Sequence, residues 1–350
     1  MARVLVGMSG GVDSAVAALL LLEQGHDVVG ATLRLGIAKL HGRQCCGEEA
    51  AIEARRVAGE LGIQHVTVDV ADIFAAEVVE PFAAAYAGGR TPNPCVVCNE
   101  RVKFAALIER ADALGCDEVA TGHYARVVTG PDGRPSIARG ADAAKDQSYF
   151  LYRLDAATLA RVRFPLGNLT KGEVRRIAAR AGLPVAARDE SQEVCFADDH
   201  VALVARLRPE ALRPGPIETS DGTVVGAHAG IARYTVGQRK GIGIGGPGGP
   251  WRVVAIDAER NAVIVGASAS LLARRFVLSD AVWRPTGAAV RCFAVQRYRA
   301  RPAACEARYD GSRIVVELED ACETTAPGQS VVLYEGDVVI GGGVLERWDR

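Results

Sequence analysis

Short apolar runs rich in β-branched residues alternate with longer amphipathic stretches through the first half of the chain. The runs that predict strands are Arg3–Met8, Val28–Leu35, Val66–Val70 and Val119–Gly122. The stretches that predict helices are Asp13–Gln24, Glu48–Leu61, Val79–Tyr86, Val102–Leu114 and one that starts with a capping-box sequence at Thr170 and ends near Ala181. This alternation is typical of an α/β fold in which helices cover both faces of an N-terminal parallel sheet.

Beyond about residue 205 the pattern changes to short alternating runs separated by turns. Asp221-Gly222, Asp310-Gly311 and Glu335-Gly336-Asp337 are turn sequences of this kind. Such spacing is typical of small antiparallel barrels. We therefore expect an α/β domain over residues 1–205, a small central β domain over 206–275 and a β-barrel-like C-terminal domain over 276–350.

The composition is that of an ordinary folded protein, with 49% hydrophobic and 24% charged residues. The longest apolar run, Ala15–Leu22, is far shorter than the ~20 residues that a membrane span needs. The sequence also lacks the pattern of a secretory signal, which predicts a cytoplasmic protein. Because 41 Lys and Arg nearly balance 42 Asp and Glu, a nucleic-acid surface has to be a local feature.

A Gly- and Ser-rich loop, Ser9-Gly10-Gly11-Val12-Asp13-Ser14, joins the first predicted strand to the first predicted helix. Backbone N–H groups and the helix dipole at such a junction favour an anion, and glycines allow a phosphate to approach the backbone. The spacing matches neither the Walker loop nor the dinucleotide fingerprint. Strand-to-helix turns are also Gly-rich for steric reasons alone, so the loop predicts a phosphate site without identifying the ligand.

Nine cysteines are an odd number in a large chain without a secretory signal, which favours catalysis or metal binding over disulfides. Cys95 and Cys98 form a Cys-x-x-Cys pair that suits a redox pair, half a zinc site or part of an iron–sulfur site. Cys98 is expected near a helix N-terminus, which lowers the pKa of a thiol. A lone cysteine such as Cys195 is more often buried, but the polar residues 189–192 favour an accessible loop. Cysteines expected only to pack are Cys116, Cys292, Cys305 and Cys322.

A series of motifs extends this picture over most of the chain. They are Gly7–Ser14, Gly89–Pro94, Ala120–Ala125, Lys145–Leu151, Ser191–Phe196, Tyr234–Gly241 and Arg297-Tyr298. In this combination and order the chain resembles the tRNA-specific 2-thiouridylases, sulfurtransferases of the ATP-pyrophosphatase superfamily. Members of that family replace the C2 oxygen of the wobble uridine of tRNA with sulfur.

The resemblance implies a reaction and a set of site residues. The C2 carbonyl oxygen is adenylated by ATP, and sulfur then attacks C2, so that pyrophosphate and AMP are released. Cys98 is implied as the nucleophile and Cys195 as the carrier of a persulfide. The residues implied to surround ATP are Gly7, Met8, Ser9, Gly10, Gly11, Val12, Asp13, Ser14, Leu33 and Gly122. Those implied to contact tRNA are Asn93, Pro94, Cys95, His123, Lys145, Asp146, Gln147, Arg297, Tyr298 and Gln329.

The resemblance also implies cofactors and partners. These are ATP, Mg²⁺, the anticodon stem-loop of tRNA and a sulfur donor, either a cysteine desulfurase or a sulfur carrier protein. Cys95 stands where part of the family has an aspartate that is a candidate general acid or base, so proton transfer differs here. Three thiolates can hold a [4Fe–4S] cluster with one open iron, so an alternative hypothesis has Cys95, Cys98 and Cys195 as ligands of a cluster that carries sulfide.

A basic segment, Arg297-Tyr298-Arg299-Ala300-Arg301, supplies the local charge that the whole chain lacks. Alternate residues of a strand share a face, so Arg297, Arg299 and Arg301 are expected to form a basic row. Taken alone, the pattern equally fits a solvated strand. In an enzyme that acts on tRNA, the same pattern predicts binding of tRNA phosphates.

Two other classes of protein share part of these features. An amide-forming ligase of the ATP-pyrophosphatase superfamily has the loop but does not need Cys98 and Cys195. A non-catalytic tRNA- or metal-binding protein of the same fold would release no pyrophosphate with tRNA and ATP.

Overall fold

The computed structural model of the protein describes residues 1–36, 48–186, 195–197, 199–245 and 250–349. The α-helices are α1 (Val12–Glu23), α2 (Glu48–Glu60), α3 (Ala71–Phe74), α4 (Glu80–Ala87), α5 (Pro94–Val97), α6 (Phe104–Ala113), α7 (Ala156–Leu159), α8 (Lys171–Arg180) and α9 (His200–Leu207). Segments Ala75–Val79 and Cys98–Lys103 are π-helical. Short 3₁₀ turns cover Ser148–Leu151, Pro209–Leu212, Ile231–Arg233 and Ser268–Leu271.

Strands make up most of the remaining regular structure. They are β1 (Arg3–Gly7), β2 (Asp27–Arg34), β3 (Gln64–Asp69), β4 (Glu118–Thr121), β5 (Ala125–Thr129), β6 (Pro135–Arg139), β7 (Val162–Arg163), β8 (Gly215–Thr219), β9 (Val224–His228), β10 (Arg252–Asp257), β11 (Ala262–Gly266), β12 (Leu272–Trp283), β13 (Ala289–Val295), β14 (Ala303–Tyr309), β15 (Ile314–Glu323), β16 (Ser330–Glu335) and β17 (Val338–Asp349).

The chain forms two compact units, and each unit is built from segments that are distant in sequence. The first contains Met1–Val78, Cys95–Asp198 and Asp337–Val339. The second contains Val79–Pro94, Asp199–Gly336 and Ile340–Arg350. The three-domain division at residues 205 and 275 stays a prediction.

A parallel sheet forms the centre of the first unit, with strands in the order β3-β2-β1-β4-β7. Val4 and Val6 of β1 are fully buried in one core cluster with residues of α1, α2 and α8. Because side chains alternate across a strand, Leu5 and Gly7 face the other side, where an added Cβ at Gly7 would lie 3.1 Å from Leu107 of α6. The expected α/β fold with a sheet buried on both faces is confirmed.

The start of α8 is fixed by the predicted capping box. The Thr170 Oγ1 accepts a hydrogen bond from the Glu173 N–H (3.3 Å), and Glu173 Oε2 accepts one from the Thr170 N–H (2.7 Å). This reciprocal pair satisfies two backbone donors that the helix leaves open. Lys171 therefore occupies the first position of α8.

The second unit is mainly antiparallel β structure, as expected for the C-terminal half. Strands β10, β11, β8 and β9 form a four-stranded sheet whose core includes Ile217, Val253 and Val263. Strands β12, β15, β14, β13, β16 and β17 follow one another, and β12 also pairs with β17, so the ring closes. Cys292 and Cys305 lie opposite each other in this barrel with their sulfur atoms 3.5 Å apart, consistent with a packing role.

One element of the first unit has no counterpart in the sequence prediction. Hairpin β5–β6 joins β17 at its start, where Val338 lies opposite Ala138. The Ser136 hydroxyl donates a hydrogen bond to the Val339 carbonyl (2.8 Å). Contacts between segments about 200 residues apart leave no local pattern in the sequence, so this pairing could not be predicted. No helix among the described residues has the length and apolarity needed to cross a membrane.

Candidate active site

The Ser9–Ser14 loop follows the carboxyl end of β1 and is held by its own hydrogen bonds. The Ser14 hydroxyl accepts from the Ser9 N–H (3.1 Å) and donates to the Gly11 carbonyl (3.2 Å). Gly10 has a φ of +68°, and a Cβ there would come within 2.6 Å of the Ala50 carbonyl oxygen. No described side chain caps α1 at Gly11. The first turn of α1 therefore presents backbone N–H groups to an anion.

An ion pair that sequence analysis missed lies at this loop. Lys171 Nζ is 2.7 and 2.8 Å from the two carboxylate oxygens of Asp13, and the Tyr124 hydroxyl donates to Asp13 Oδ1 at 2.8 Å. Lys171 is only 8% exposed. The cation offsets an acidic charge that would otherwise repel a triphosphate. Tyr124 was visible only as part of the Ala120–Ala125 motif, and Lys171 only as part of a capping box.

Other residues expected around ATP lie at the same edge of the sheet. A Cβ on Gly122, just after β4, would be 2.7 Å from the Asp13 carbonyl carbon and 2.8 Å from the Ser14 nitrogen, so only glycine allows this approach. Met8 is buried and donates its N–H to the Ala31 carbonyl at 2.7 Å. Leu33 lies two residues further along β2 and is also buried. Ligands of open α/β sheets bind at the carboxyl ends of the strands, which is where these residues lie.

Cys98 begins the π-helical segment that connects α5 to α6, and its side chain is 3% exposed. The expectation of a lowered pKa is wrong. The helical run begins at Pro94, so Cys98 lies a full turn inside it. Burial raises the pKa of the Cys98 thiol, the positive charge of Lys103 opposes this effect, and Cys195 adds to it. At neutral pH Cys98 is therefore a thiol.

Cys195 lies within electrostatic reach of Cys98, since it contributes to the raised pKa of the Cys98 thiol. It is partly exposed, and the ring of the next residue, Phe196, packs edge-to-face on Phe74 with centroids 5.4 Å apart. The two cysteines are 97 positions apart in sequence, but both belong to the first unit. The polar loop expected at 189–192 lies outside the described residues.

An iron–sulfur cluster needs several protein ligands that converge on one point. Within the described parts of the chain, no group of three or more His, Cys, Asp or Glu side chains is placed to hold a metal ion. As placed, Cys95, Cys98 and Cys195 do not confirm the cluster hypothesis, which stays a prediction. The chemistry proposed for them uses their thiols alone.

His123 follows β4 and is enclosed by aromatic side chains. Its ring centroid lies 5.9 Å from that of Phe104 and 6.1 Å from that of Phe164, and its Nδ1 is 2.8 Å from the Thr121 hydroxyl. Burial, with the charge of Lys103, lowers the pKa of His123 to about 3. The ring is neutral at physiological pH. A tRNA contact of His123 would thus be a hydrogen bond or a stacking contact, not an ion pair.

The segment Lys145–Gln147 is held mainly by buried hydrogen bonds. Asp146 is 8% exposed and accepts bonds from the Gly140 N–H (3.0 Å), the Ser148 hydroxyl (2.9 Å) and Arg139 Nη1 (3.1 Å). Gln147 Oε1 accepts from the Tyr124 N–H at 3.0 Å. These two residues shape the loop beside Tyr124. Direct contact of Lys145, Asp146 and Gln147 with tRNA stays a prediction.

Residues of the second unit that were expected to contact tRNA fall into two places. Gln329 Nε2 donates to the carbonyls of Thr91 (2.9 Å) and Pro92 (3.2 Å), and so holds the segment that leads into Asn93 and Pro94. Asn93 immediately precedes α5, which begins at Pro94. Arg297 and Tyr298 lie elsewhere, between β13 and β14.

The prediction that Arg297, Arg299 and Arg301 form a basic row on a strand is wrong. β13 ends at Val295 and β14 begins at Ala303, and the residues between them form the turn that reverses the chain. The Ala300 N–H donates to the Arg297 carbonyl at 3.0 Å, and Arg299 has a φ of +63°. The Arg299 guanidinium lies 5.0 Å from the centroid of the Tyr298 ring. The arginines therefore cluster at the tip of a hairpin and do not form a row.

Comparison with known families covers nearly the whole chain. The model described as "tRNA methyl transferase HUP domain" matches residues 2–199. The model described as "tRNA methyl transferase PRC-barrel domain" matches residues 203–267. The model described as "Aminomethyltransferase beta-barrel domain" matches residues 273–345.

Similar full-length proteins carry a more specific name. The tRNA-specific 2-thiouridylase MnmA of Chloroflexus aurantiacus is 48% identical and covers 99% of both chains. That of Moorella thermoacetica is 46% identical and covers 98% of this chain and 99% of its own. Among solved structures, the U34-tRNA thiolase NcsA from Methanococcus maripaludis with its [4Fe-4S] cluster is 20% identical, with a TM-score of 0.37 over 60% of this chain and 64% of that chain. At that score the likeness carries no conclusion about this chain.

Proposed function

This chain belongs to the tRNA-specific 2-thiouridylase family, and on that premise we propose how its residues divide the work of the reaction. The enzyme catalyses the ATP-dependent 2-thiolation of uridine in tRNA. We propose that the target is the wobble uridine. The observation that carries the proposal is that Cys98 and Cys195, far apart in sequence, interact in the unit that also holds the Ser9–Ser14 loop.

The first step makes the C2 oxygen of uracil a leaving group. This oxygen attacks the α-phosphorus of ATP, and the bond from the α-phosphorus to the departing pyrophosphate breaks. The N–H groups of the Ser9–Ser14 loop would hold the phosphates, because a helix N-terminus stabilises an anion. Mg²⁺ bound with ATP would neutralise charge on the departing pyrophosphate.

The second step transfers sulfur from Cys195 and uses Cys98 as the reductant. The terminal sulfur of a Cys195 persulfide attacks C2, and the C2–O bond breaks to release AMP. The Cys98 thiolate then attacks the Cys195 sulfur. The bond between the two persulfide sulfurs breaks, so that one sulfur stays on C2 and a Cys98–Cys195 disulfide forms. An external thiol must reduce this disulfide before the next turnover, and a donor protein must reload Cys195.

Proton transfer is expected to rely on groups other than a carboxylate beside Cys98. Cys95, at the preceding turn of the helix, stands where part of the family has an aspartate. His123 has a pKa of about 3 and is a weak base. In the order described above, Cys98 acts after the attack on C2. Release of free sulfide by Cys98 before C2 is attacked is the alternative order.

The remaining partners follow from the chemistry. The sulfur donor is proposed to be a cysteine desulfurase or a sulfur carrier protein, because Cys195 needs a persulfide and the reaction itself supplies none. A cytoplasmic location stays a prediction. tRNA is the substrate.

The hairpin tip at Arg297 and Arg299 is proposed to bind tRNA phosphate. Replacing both arginines with Ala should weaken tRNA binding and lower the slope of log K against log salt by roughly 1 to 2, since each phosphate contact contributes ~0.9. Filter binding across a salt series measures both quantities. Arg274→Ala, an exposed arginine of β12, is the control. An unchanged affinity and slope in the double variant would remove the hairpin tip from the tRNA site.

Nucleoside mass spectrometry of tRNA incubated with the enzyme, ATP, Mg²⁺ and a persulfide donor tests the function. We expect 2-thiouridine together with one pyrophosphate per modified base. An amide-forming ligase would give pyrophosphate with other acceptors and no thiolated base. A non-catalytic binding protein would give neither product.

A further inference from the structure

The segment that carries Cys98 has an unusual helical geometry. Between α5 and α6 the residues Cys98–Lys103 are π-helical, and the Phe104 N–H donates to the carbonyl of Asn99, five residues earlier. In an α-helix the backbone hydrogen bond spans four residues and a turn takes about 3.6 residues. Two side chains five positions apart therefore point in clearly different directions. In the wider π turn the backbone hydrogen bond spans five residues. This turn therefore returns Lys103 to the side of the helix that carries Cys98.

The charge of Lys103 acts on two groups of the site. It opposes the effect of burial on the Cys98 thiol and contributes to the low pKa of His123. Its ammonium is thus within electrostatic reach of both the Cys98 sulfur and the His123 ring. His123 is neutral, so it does not supply a second positive charge at this point.

The other charged residues of the same segment pair away from Cys98. Arg101 Nη1 is 2.9 Å from a Glu77 carboxylate oxygen, and Arg153 Nε is 2.7 Å from a Glu100 carboxylate oxygen. The charged groups that act on Cys98 among the described residues are Lys103, which favours the thiolate, and Cys195, which disfavours it. When Cys195 carries a persulfide anion, the repulsion on a Cys98 thiolate increases, and the ammonium becomes more important.

We propose that Lys103 is a positioning residue of the sulfur-transfer step, which holds a positive charge beside Cys98 so that the thiolate can form in a buried site. The inference rests on the proposed function of Cys98. A buried thiolate without a cation is disfavoured by desolvation. Lys103 does not bond to the substrate in this account. It lowers the free energy of losing the Cys98 proton, and the thiolate then attacks the Cys195 sulfur.

The pH dependence of Cys98 alkylation tests this role. Iodoacetamide labelling at a series of pH values, with the label located by fragmentation of the Thr91–Arg101 peptide, gives the midpoint for Cys98. Lys103→Met should raise that midpoint by about one pH unit, as expected for loss of a nearby opposite charge. Lys103→Arg should restore most of the shift. At pH 7 the kcat of Lys103→Met should fall about tenfold and recover at higher pH, with KM for tRNA unchanged.

A matched control removes the same charge from the same segment. Arg101 is exposed and pairs with Glu77, so Arg101→Met should leave the Cys98 midpoint within a few tenths of a pH unit. Equal shifts in the Arg101 and Lys103 variants, or no shift in Lys103→Met, would overturn the proposal. Cys98→Ser separates this failure from failure of the proposed function. If Cys98→Ser still thiolates tRNA, the role of Cys98 itself is wrong, whatever Lys103 does.

Discussion

Cys98→Ser is expected to lower 2-thiouridine formation by at least about a thousandfold, as is typical when a catalytic nucleophile is removed. Serine cannot form the anion that attacks the Cys195 sulfur at neutral pH, so sulfur bound to C2 stays attached to the enzyme. Adenylation uses the Ser9–Ser14 loop and should continue. One round of pyrophosphate release per enzyme, with little or no thiolated base, is therefore the expected result in a quench-flow assay.

Cys322→Ser is the control for that variant. Cys322 is a partly buried cysteine of β15 in the second unit and is expected to have no part in the reaction. It should thiolate tRNA at the rate of the unmodified enzyme. Wild-type thiolation by Cys98→Ser would show that another residue provides the attacking sulfur.

Lys171→Met is expected to weaken ATP binding by about ten- to a hundredfold, equivalent to about 1.4 to 2.8 kcal/mol. The substitution leaves the Asp13 carboxylate, in the proposed phosphate loop, without the cation that lies 2.7 Å away. The free energy of unfolding should also fall by about 2 kcal/mol. This is less than for a fully buried pair, because the Asp13 side chain is 32% exposed. Isothermal titration calorimetry and urea unfolding measure the two effects.

Two further variants separate charge from packing at this pair. Asp13→Asn combined with Lys171→Met removes both charges, and most of the lost stability should return. Arg176→Met removes an exposed charge from the same helix, where the side chain is 74% exposed, and should change neither quantity. Normal ATP binding by Lys171→Met would mean that the pair only joins α8 to α1.

The sheet and its helices were predictable because their signals are local. β1, α1 and β2 match the expected runs to within about two residues, and the capping box at Thr170 is a four-residue signal that the structure reproduces. The spacing of hydrophobic residues and the helix caps depend only on residues close in sequence, so they indicate helices and strands whatever the rest of the fold is. The loop at Ser9–Ser14 was recognisable for the same reason, since strand, glycines and helix adjoin in sequence, and its binding of phosphate stays a prediction.

Two features of the site were not predicted. One is an ion pair between residues distant in sequence, and the other is a π turn that differs from an α turn by the span of its hydrogen bond. Asp13 and Lys171 are 158 positions apart, and no pattern in either segment indicates the other. The spacing of hydrophobic residues over 102–114 is typical of an α-helix, but residues 102 and 103 belong to the π-helical segment. The prediction of a low pKa for Cys98 was wrong because the helix begins at Pro94, a full turn before Cys98. Proline is favourable in the first turn of a helix.

The arginines at 297–301 show how a charge pattern can mislead. Alternating Arg residues fit a strand face and a tight turn equally well, because both tolerate exposed charged side chains. The pairing of β13 with β14 decides between them, and that pairing places the segment at the point of chain reversal. The basic patch for tRNA therefore stays a prediction, with its arginines in a hairpin turn and not in a row along a strand.

The central claim is that one turnover joins Cys98 to Cys195 as the sulfur leaves. Enzyme whose Cys195 carries a persulfide is mixed with tRNA and ATP without external thiol, quenched with acid and alkylating agent, and digested for disulfide mapping. The account predicts one Cys98–Cys195 disulfide for each 2-thiouridine formed, and none when ATP is omitted. Stoichiometric 2-thiouridine with both cysteines recovered as separate alkylated thiols would contradict it.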